Sequence, residues 1–107
     1  MAVKGIDLTD IDAVTEAVEA FVEVIRRLRG PGGCPWDAQQ TPETLKTYFL
    51  EEAYELVEAI ELKDPAKVRE ELGDVLLHVF LISEIFRERG GFGLTEVIDG
   101  IRKKMIH

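Results

Sequence analysis

Apolar residues in this sequence recur at steps of three and four, which is the spacing of an amphipathic helix. In the segment 10–29 the recurring residues are Ile11, Val14, Val18, Phe21, Val22, Ile25 and Leu28. Outside the helical segments, no stretch alternates apolar and polar residues with the period of two that a half-buried strand requires. The pattern therefore predicts an all-α protein.

Helix breakers and caps place the ends of the first two helices. The Gly/Pro-rich residues 30–35 should end the first helix, because Pro and paired Gly oppose helix continuation. Thr41 is a suitable N-cap, with Pro42 at the first helical position and Thr44 in the first turn. The second helix should continue from there to about Leu62.

Two more helices follow. Asp64 can cap a third helix that starts with Pro65 and continues to about Arg89, where two glycines end it. Thr95 opens a short fourth helix that passes Ile101 toward the end of the sequence. The sequence thus predicts four helices.

Length and charge limit the classes of function. The 107 residues suit one domain, 1–107, with a core of limited size that lateral association would extend. The net charge of −8 argues against a partner that is a nucleic-acid polymer, which requires a clustered basic face. A nucleotide is still compatible, since a divalent cation can lie between acidic side chains and a phosphate chain.

The compartment is predicted from the single cysteine and the apolar runs. Cys34 has no partner for an internal disulfide, and a lone thiol suits a reducing compartment. The N-terminal residues contain no apolar signal core, and no uncharged run approaches the length of a membrane span. We therefore expect a cytoplasmic protein with no membrane partner.

Acidic residues interrupt the apolar faces of the second and third helices. At about 100° per residue, Glu52 points into the apolar stripe of its helix and Glu55 lies at the edge of that stripe. On the third helix, Glu71 and Asp74 fall on a packed, apolar surface. The acids that fall on solvated faces and are interpreted as ordinary surface residues are Glu51, Glu58, Glu61 and Glu70.

The four inward acids predict a metal site. Buried carboxylates are expected to pair, protonate or hold a cation. Basic partners are scarce, since the second helix offers only Lys46 and the interior of the third offers none. An all-oxygen cluster suits Mg²⁺, with Mn²⁺ as a substitute. His78 is interpreted as a satisfied core residue, with a hydrogen bond to a ligand carboxylate as the alternative.

These acidic motifs carry a family resemblance. Glu51, Glu52 and Glu55 followed by Glu71 and Asp74 resemble the Glu-Glu-x-x-Glu and Glu-x-x-Asp signature of the all-α nucleoside triphosphate pyrophosphohydrolases. The segment 32–37, Gly-Gly-Cys-Pro-Trp-Asp, and the segment 99–105 are similar to the MazG family in particular. The resemblance implies a four-helix MazG-like bundle that is completed by homodimerisation.

The function that the resemblance implies is hydrolysis of nucleoside triphosphates, standard or non-standard, to the monophosphate and pyrophosphate. It implies that Glu52, Glu55, Glu71 and Asp74 hold Mg²⁺. The family pattern continues past the position of His107 into a basic stretch that is absent here. If that stretch binds triphosphate, the alternative is a catalytically weak or inactive helical dimerisation or regulatory domain that retains the metal site.

Four further residues are site candidates, each with an ordinary alternative. Glu51 could orient or deprotonate the attacking water, or be a solvated surface acid. Lys46 and Lys104 could meet the phosphates as point charges, or be surface lysines. Trp36 could form a wall for the base, or anchor its loop in the core.

A di-iron carboxylate protein is the remaining rival. Such bundles place Glu-x-x-His on two helices. Here the third position after the first acid is Glu55 on one helix and Asp74 on the other, and only His78 lies nearby. The scarcity of imidazole ligands argues against a di-iron site.

Overall fold

The protein consists of helices joined by short turns. A computed structural model describes residues 8–106, and no strand occurs among them. The helices are α1 (Leu8–Arg29), α2 (Pro35–Gln39), α3 (Pro42–Glu61), α4 (Pro65–Glu88) and α5 (Leu94–Met105). The prediction of an all-α protein is confirmed, and the ends of the four predicted helices agree with the observed ends to within a few residues.

The number of helices was predicted incorrectly, because α2 was expected to be a loop. Pro35 does not end a helix here but begins one, since a proline at the first helical position sacrifices no intrahelical hydrogen bond. The Ala38 N–H donates to the Cys34 carbonyl oxygen at 3.0 Å, which closes the single turn. One turn is too short to show the apolar period by which the other helices were recognised.

The helices fall into two compact units. The first runs to Ala38 and contains α1 and all but the last residue of α2, and the second begins at Gln39 and contains α3, α4 and α5. Across residues 8–106, no helix combines the length and the apolar character that a membrane crossing requires.

Side-chain caps fix the starts of the two long helices in the second unit. The Thr44 N–H donates to the Thr41 hydroxyl at 3.2 Å, and the Thr41 N–H donates to the Thr44 hydroxyl at 2.9 Å. This reciprocal capping box satisfies backbone donors that the first turn of α3 leaves without partners. At the start of α4, the Lys67 N–H donates to the Asp64 carboxylate at 3.3 Å, with Pro65 at the first helical position.

The same C-terminal motif ends both of these helices. After α3, the Lys63 N–H donates to the Ile60 carbonyl and the Asp64 N–H to the Ala59 carbonyl. After α4, Gly90 and Gly91 donate in the same pattern to carbonyls of the last turn. The motif needs a left-handed residue, which is Lys63 (φ 55°) in one case and Gly90 (φ 79°) in the other. The first of these turns reverses the chain so that α4 packs against α3.

The α4–α5 junction is held by aromatic and backbone contacts. The rings of Phe86 and Phe92 stack with their centroids 4.7 Å apart. The Gly93 N–H donates to the Glu96 carboxylate at 2.7 Å, which caps α5. A Cβ at Gly93 would lie 3.3 Å from the side chain of Arg87, so the absence of a side chain lets the junction pass close to α4.

Candidate metal centre

Four carboxylates meet between α3 and α4. Glu52 and Glu55 come from α3, and Glu71 and Asp74 come from α4. One carboxylate oxygen from each lies within 4.8 Å of those of the other three. The structure therefore brings together the four acids predicted from the helical pattern; their role as metal ligands stays a prediction.

The two helices are antiparallel at this point, and the acids pair across them. The carboxylate of Glu52 interacts most strongly with that of Asp74 among the acids of α4. The carboxyl of Glu71 in turn interacts with that of Glu55. The two acids of each helix are about one turn apart. The four carboxylates therefore form two pairs between the helices, Glu52 with Asp74 and Glu55 with Glu71.

The electrostatics of this cluster oppose full ionisation when no cation is bound. Burial raises the pKa of Glu52, and the charges of Asp74 and Glu55 raise it further. Burial also raises the pKa of Glu71, as does the neighbouring carboxyl of Glu55, while Lys67 lowers it. Like charges that are held close together in a partly desolvated site disfavour the ionised forms. A cation would remove this repulsion.

Two oxygens in the cluster are buried without a partner. Among the described residues, Glu52 Oε2 and Glu71 Oε2 are the buried side-chain oxygens that accept no hydrogen bond. Both oxygens belong to the cluster of four carboxylates. Orphaned carboxylate acceptors in an all-oxygen cluster have the chemistry that suits a small divalent cation.

Glu84 is a second buried acid of α4, and its hydrogen bonds differ from those of Glu71. Glu84 is 7% exposed, close to the 2% of Glu71. Its two oxygens accept hydrogen bonds from Arg87 Nε at 2.8 Å and Nη2 at 2.6 Å. This bidentate pair satisfies Glu84 within one helix. Glu84 was not among the acids predicted from the sequence, although an acid followed three residues later by Arg is the signal for such a pair.

Lys67 is the residue at the cluster that the sequence analysis missed. Its ammonium nitrogen lies 3.4 Å from Glu71 Oε1. The expectation that the third predicted helix supplies no basic partner considered only its interior, and Lys67 lies in its first turn. The spacing of four residues between Lys67 and Glu71 was the available signal.

His78 lies one turn beyond Asp74 and is buried. Its Nδ1 is 3.0 Å from the Asp74 backbone carbonyl oxygen, so this nitrogen carries the proton and donates it. The ring also meets that of Phe49 edge-on, with centroids 6.1 Å apart. These contacts agree with the interpretation of His78 as a satisfied core residue.

The other site candidates lie outside the four-carboxylate cluster. Glu51 is exposed on α3, beside Glu52 in sequence, and Lys46 is exposed nearer the start of the same helix. Lys104 is exposed in the last turn of α5. Trp36 belongs to the first unit and is half exposed. Their roles toward a substrate stay predictions.

The helical fold and the four-carboxylate cluster define the class of protein as an all-α protein with a candidate divalent-cation centre. The model of the MazG nucleotide pyrophosphohydrolase domain matches residues 40–107, which include α3, α4 and α5. The chain therefore belongs to the MazG family, as its motifs predicted.

Curated relatives share most of this chain but are much longer. The uncharacterized protein YabN of Bacillus subtilis is 52% identical over 86 residues, which is 80% of this chain and 18% of YabN. The nucleoside triphosphate pyrophosphohydrolase/pyrophosphatase MazG of Thermotoga maritima is 49% identical over 82% of this chain and 34% of its own length. The nucleoside triphosphate pyrophosphohydrolase of Escherichia coli K12 is 37% identical, with the same two coverages. The chain thus spans about a third or less of these relatives.

Proposed function

We propose that this chain is a Mg²⁺-dependent nucleoside triphosphate pyrophosphohydrolase that releases the monophosphate and pyrophosphate. The observation that carries the proposal is the cluster of Glu52, Glu55, Glu71 and Asp74, in which two buried oxygens have no partner. Membership of the MazG family and the names of the Thermotoga maritima and Escherichia coli relatives support the same reaction. Standard and non-standard ribo- and deoxyribonucleotides are all candidate substrates.

The four carboxylates hold the cation in this proposal. Without it, their negative charges would repel a triphosphate, and the net charge of −8 would add to the repulsion. When bound, Mg²⁺, or Mn²⁺ in its place, neutralises phosphate charge and lowers the pKa of a bound water. Glu52 and Glu71 supply the least hydrated oxygens, because one oxygen of each is buried and unpartnered.

The remaining candidates have subordinate roles. Glu51 lies on α3 next to the proposed ligand Glu52, and its carboxylate is exposed. It is our candidate for orienting or deprotonating the attacking water. Lys46 and Lys104 are candidates for phosphate contacts, and Trp36 is the candidate for stacking on the base. The surface roles described above remain the alternatives for all of them.

We also propose that the chain forms a homodimer through an apolar groove between α3 and α4. The groove has a volume of about 760 Å³ and is lined by Ile60, Val68, Leu72 and Leu76, among others. Ile60 and Leu72 are each more than half exposed, which is unusual for a contiguous apolar surface of a monomer. Lys63 and Arg69 lie at the same groove, and the exposed acids of a second copy are our candidates for pairing with them.

Gly73 supports close approach of another chain to this groove. It lies in the interior of α4 and lines the groove, and a Cβ built on it meets nothing within 4 Å. An interior helical glycine costs about 1 kcal/mol relative to alanine, and nothing within the described chain uses the space over Gly73. A helix of a second copy that crosses α4 at Gly73 would use it.

Product analysis tests the enzymatic proposal. The purified chain would be incubated with a panel of nucleoside triphosphates and Mg²⁺, and the products separated. We expect monophosphate and pyrophosphate, with no turnover after addition of EDTA. Glu52→Gln and Asp74→Asn should abolish turnover without loss of helicity, whereas Glu58→Gln, on an exposed position of α3, should retain it.

Three results would contradict the proposal in different ways. Diphosphate with orthophosphate as products would reject hydrolysis at the α-phosphorus. Retained turnover in Glu52→Gln or Asp74→Asn would reject the ligand assignment. No turnover, with Mg²⁺ still raising the melting temperature, would favour the alternative of an inactive dimerisation or regulatory domain that keeps its metal site. The cytoplasmic location remains a prediction from the lone Cys34.

A further inference from the structure

Lys67 and Glu71 form an unequal ion pair at the edge of the metal centre. The Lys67 side chain is 50% exposed, whereas that of Glu71 is 3% exposed, and 3.4 Å separates the ammonium nitrogen from Glu71 Oε1. The other oxygen of Glu71 is buried without a partner. One oxygen of this carboxylate is therefore paired with a half-exposed side chain, and the other is buried without a partner.

The helix does not by itself favour this pair. At a spacing of four residues, an acid that precedes a base is the better order, and here Lys67 precedes Glu71. The pair is stabilised instead because Glu71 is a buried carboxylate among other carboxylates, and Lys67 supplies a charge of the opposite sign. Lys67 contacts Oε1 of Glu71, whereas a metal ion would bind the orphaned Oε2; both positive charges would act on the same carboxylate and would repel each other.

A second position for the ammonium group lies close by. Glu70 also interacts with Lys67 and is exposed, next to Glu71 in sequence. Lys67 and Glu70 line the same open groove on α4, together with Asp64 and Gly73. The long, half-exposed side chain of Lys67 can therefore turn from Glu71 to Glu70 while its backbone N–H stays on the Asp64 cap.

We propose that Lys67 is a built-in counter-ion of Glu71 that competes with the divalent cation and so lowers the affinity of the centre for metal alone. In the metal-free chain Lys67 pairs with Glu71; when the cation binds, Lys67 moves outward to Glu70. Lys67 is in this sense a positioning residue that sets metal affinity. The inference rests on the proposed metal site.

The test is metal titration of the full chain without nucleotide. Isothermal titration with Mg²⁺ or Mn²⁺ would compare the unaltered chain with Lys67→Met, which keeps the length of the side chain and removes its charge. We expect the variant to bind the metal about threefold to tenfold more tightly, the effect of one partly exposed charge. Lys67→Arg should bind as the unaltered chain does.

A control separates competition from overall charge. Lys103→Met removes the same charge from an exposed position in the last turn of α5, to which no role in binding is assigned. It should change metal affinity by less than about twofold. The melting temperature gives a second readout: Lys67→Met should be less stable than the unaltered chain in EDTA, and this difference should disappear or reverse at saturating Mg²⁺.

Two results would overturn the inference, and they differ from each other. Unchanged or weaker metal binding by Lys67→Met, when the unaltered chain binds metal, would refute competition and leave the metal centre standing. No heat and no shift in melting temperature with either cation, for the unaltered chain as for Glu52→Gln, would refute the metal centre itself and the role of Lys67 with it.

Discussion

The carboxylate of Glu52 on α3 faces that of Asp74 on α4. The buried oxygen of Glu52 accepts no hydrogen bond from the described residues. Every influence on the pKa of Glu52 acts in one direction: burial raises it most, and Asp74, Glu55 and Glu71 add to this. The folded chain therefore holds mutually repelling carboxylates at this site, and the stability of the fold should depend on pH and on metal.

The first prediction concerns pH in the absence of metal. The pKa of Glu52 is raised in the folded chain and ordinary in the unfolded chain, so at neutral pH ionised Glu52 destabilises the fold. As pH falls through the folded pKa toward the ordinary glutamate pKa of 4.5, the folded chain takes up the proton first and this penalty is lost. In EDTA, Glu52→Gln should melt at a higher temperature than the unaltered chain at pH 7.5, with the difference shrinking toward pH 4.5.

Comparison with the variant is needed because other groups act in the opposite sense. The pKa of Glu43 is lowered by hydrogen bonds to its own backbone N–H and to Thr41, so its contribution to stability is lost on acidification. Both chains share Glu43, and the difference between them isolates Glu52. A Glu52→Gln variant that is less stable than the unaltered chain at pH 7.5 in EDTA would contradict the prediction. Saturating Mg²⁺ should remove the advantage of the variant.

The second prediction compares the two left-handed residues that end α3 and α4. Lys63 holds φ 55°, a region that costs a residue with a Cβ about 1 kcal/mol or more, whereas Gly90 holds φ 79° without that penalty. Lys63→Gly should raise the free energy of unfolding by about 1 kcal/mol, and Gly90→Ala should lower it by about the same amount. Denaturant melts of the two variants measure this, and equal signs for both would refute the assigned motif.

The third prediction concerns the turn after α1, where Gly33 has no room for a side chain. A Cβ on Gly33 would lie 2.5 Å from the Leu28 carbonyl oxygen and closer still to that of Arg27. The Cys34 N–H donates to the same Leu28 oxygen at 2.8 Å. Gly33→Ala should break this hydrogen bond, lower stability by about 2 kcal/mol and abolish protection of the Cys34 amide in hydrogen exchange.

The matched control for this turn is its neighbouring glycine. Gly32 has φ 77° and open space around its Cα, so Gly32→Asn, which tolerates the left-handed region, should leave the Cys34 amide protected. Loss of protection in both variants would point to general fraying of α1 rather than to the steric block at Gly33.

The fourth prediction uses two helical glycines to test the homodimer. Gly73 in α4 and Gly100 in α5 both have nothing within 4 Å of a built Cβ, so alanine at either should stabilise its helix by about 1 kcal/mol. Only Gly73 lines the apolar groove. We expect Gly73→Ala to weaken self-association by about tenfold in sedimentation equilibrium, whereas Gly100→Ala should leave it unchanged. A monomeric unaltered chain would reject the dimer, and a fully dimeric Gly73→Ala would reject only the crossing point.

Local signals in the sequence were sufficient for most of the fold. The caps at Thr41 and Asp64 each involve residues three apart, so the sequence shows both the group that accepts and the backbone that donates. The four acids were recognised because each interrupts an apolar stripe whose period is set by the helix. Their facing arrangement then follows once a short turn makes α3 and α4 antiparallel neighbours.

Other features could not be read in this way. The single turn of α2 has no measurable period, and its Pro35 serves equally well to end a helix or to begin one. The ion pair of Lys67 with Glu71 depends on how deeply Glu71 is buried, which a helical projection does not give. The difference between Glu84, bonded twice by Arg87, and Glu71, left with an orphan oxygen, likewise depends on side-chain rotamers.

All four carboxylates lie on one continuous hairpin, between Glu52 at one end and Asp74 at the other. Other sequences can therefore be joined before α3 or after α5 without altering the positions of the acids relative to one another. A hairpin of this kind can be carried by polypeptides of different lengths, because the four acids keep their mutual positions within it. The segments matched in the Bacillus and Thermotoga relatives are 18% and 34% of the lengths of those proteins, so similar sequence occurs there within longer chains.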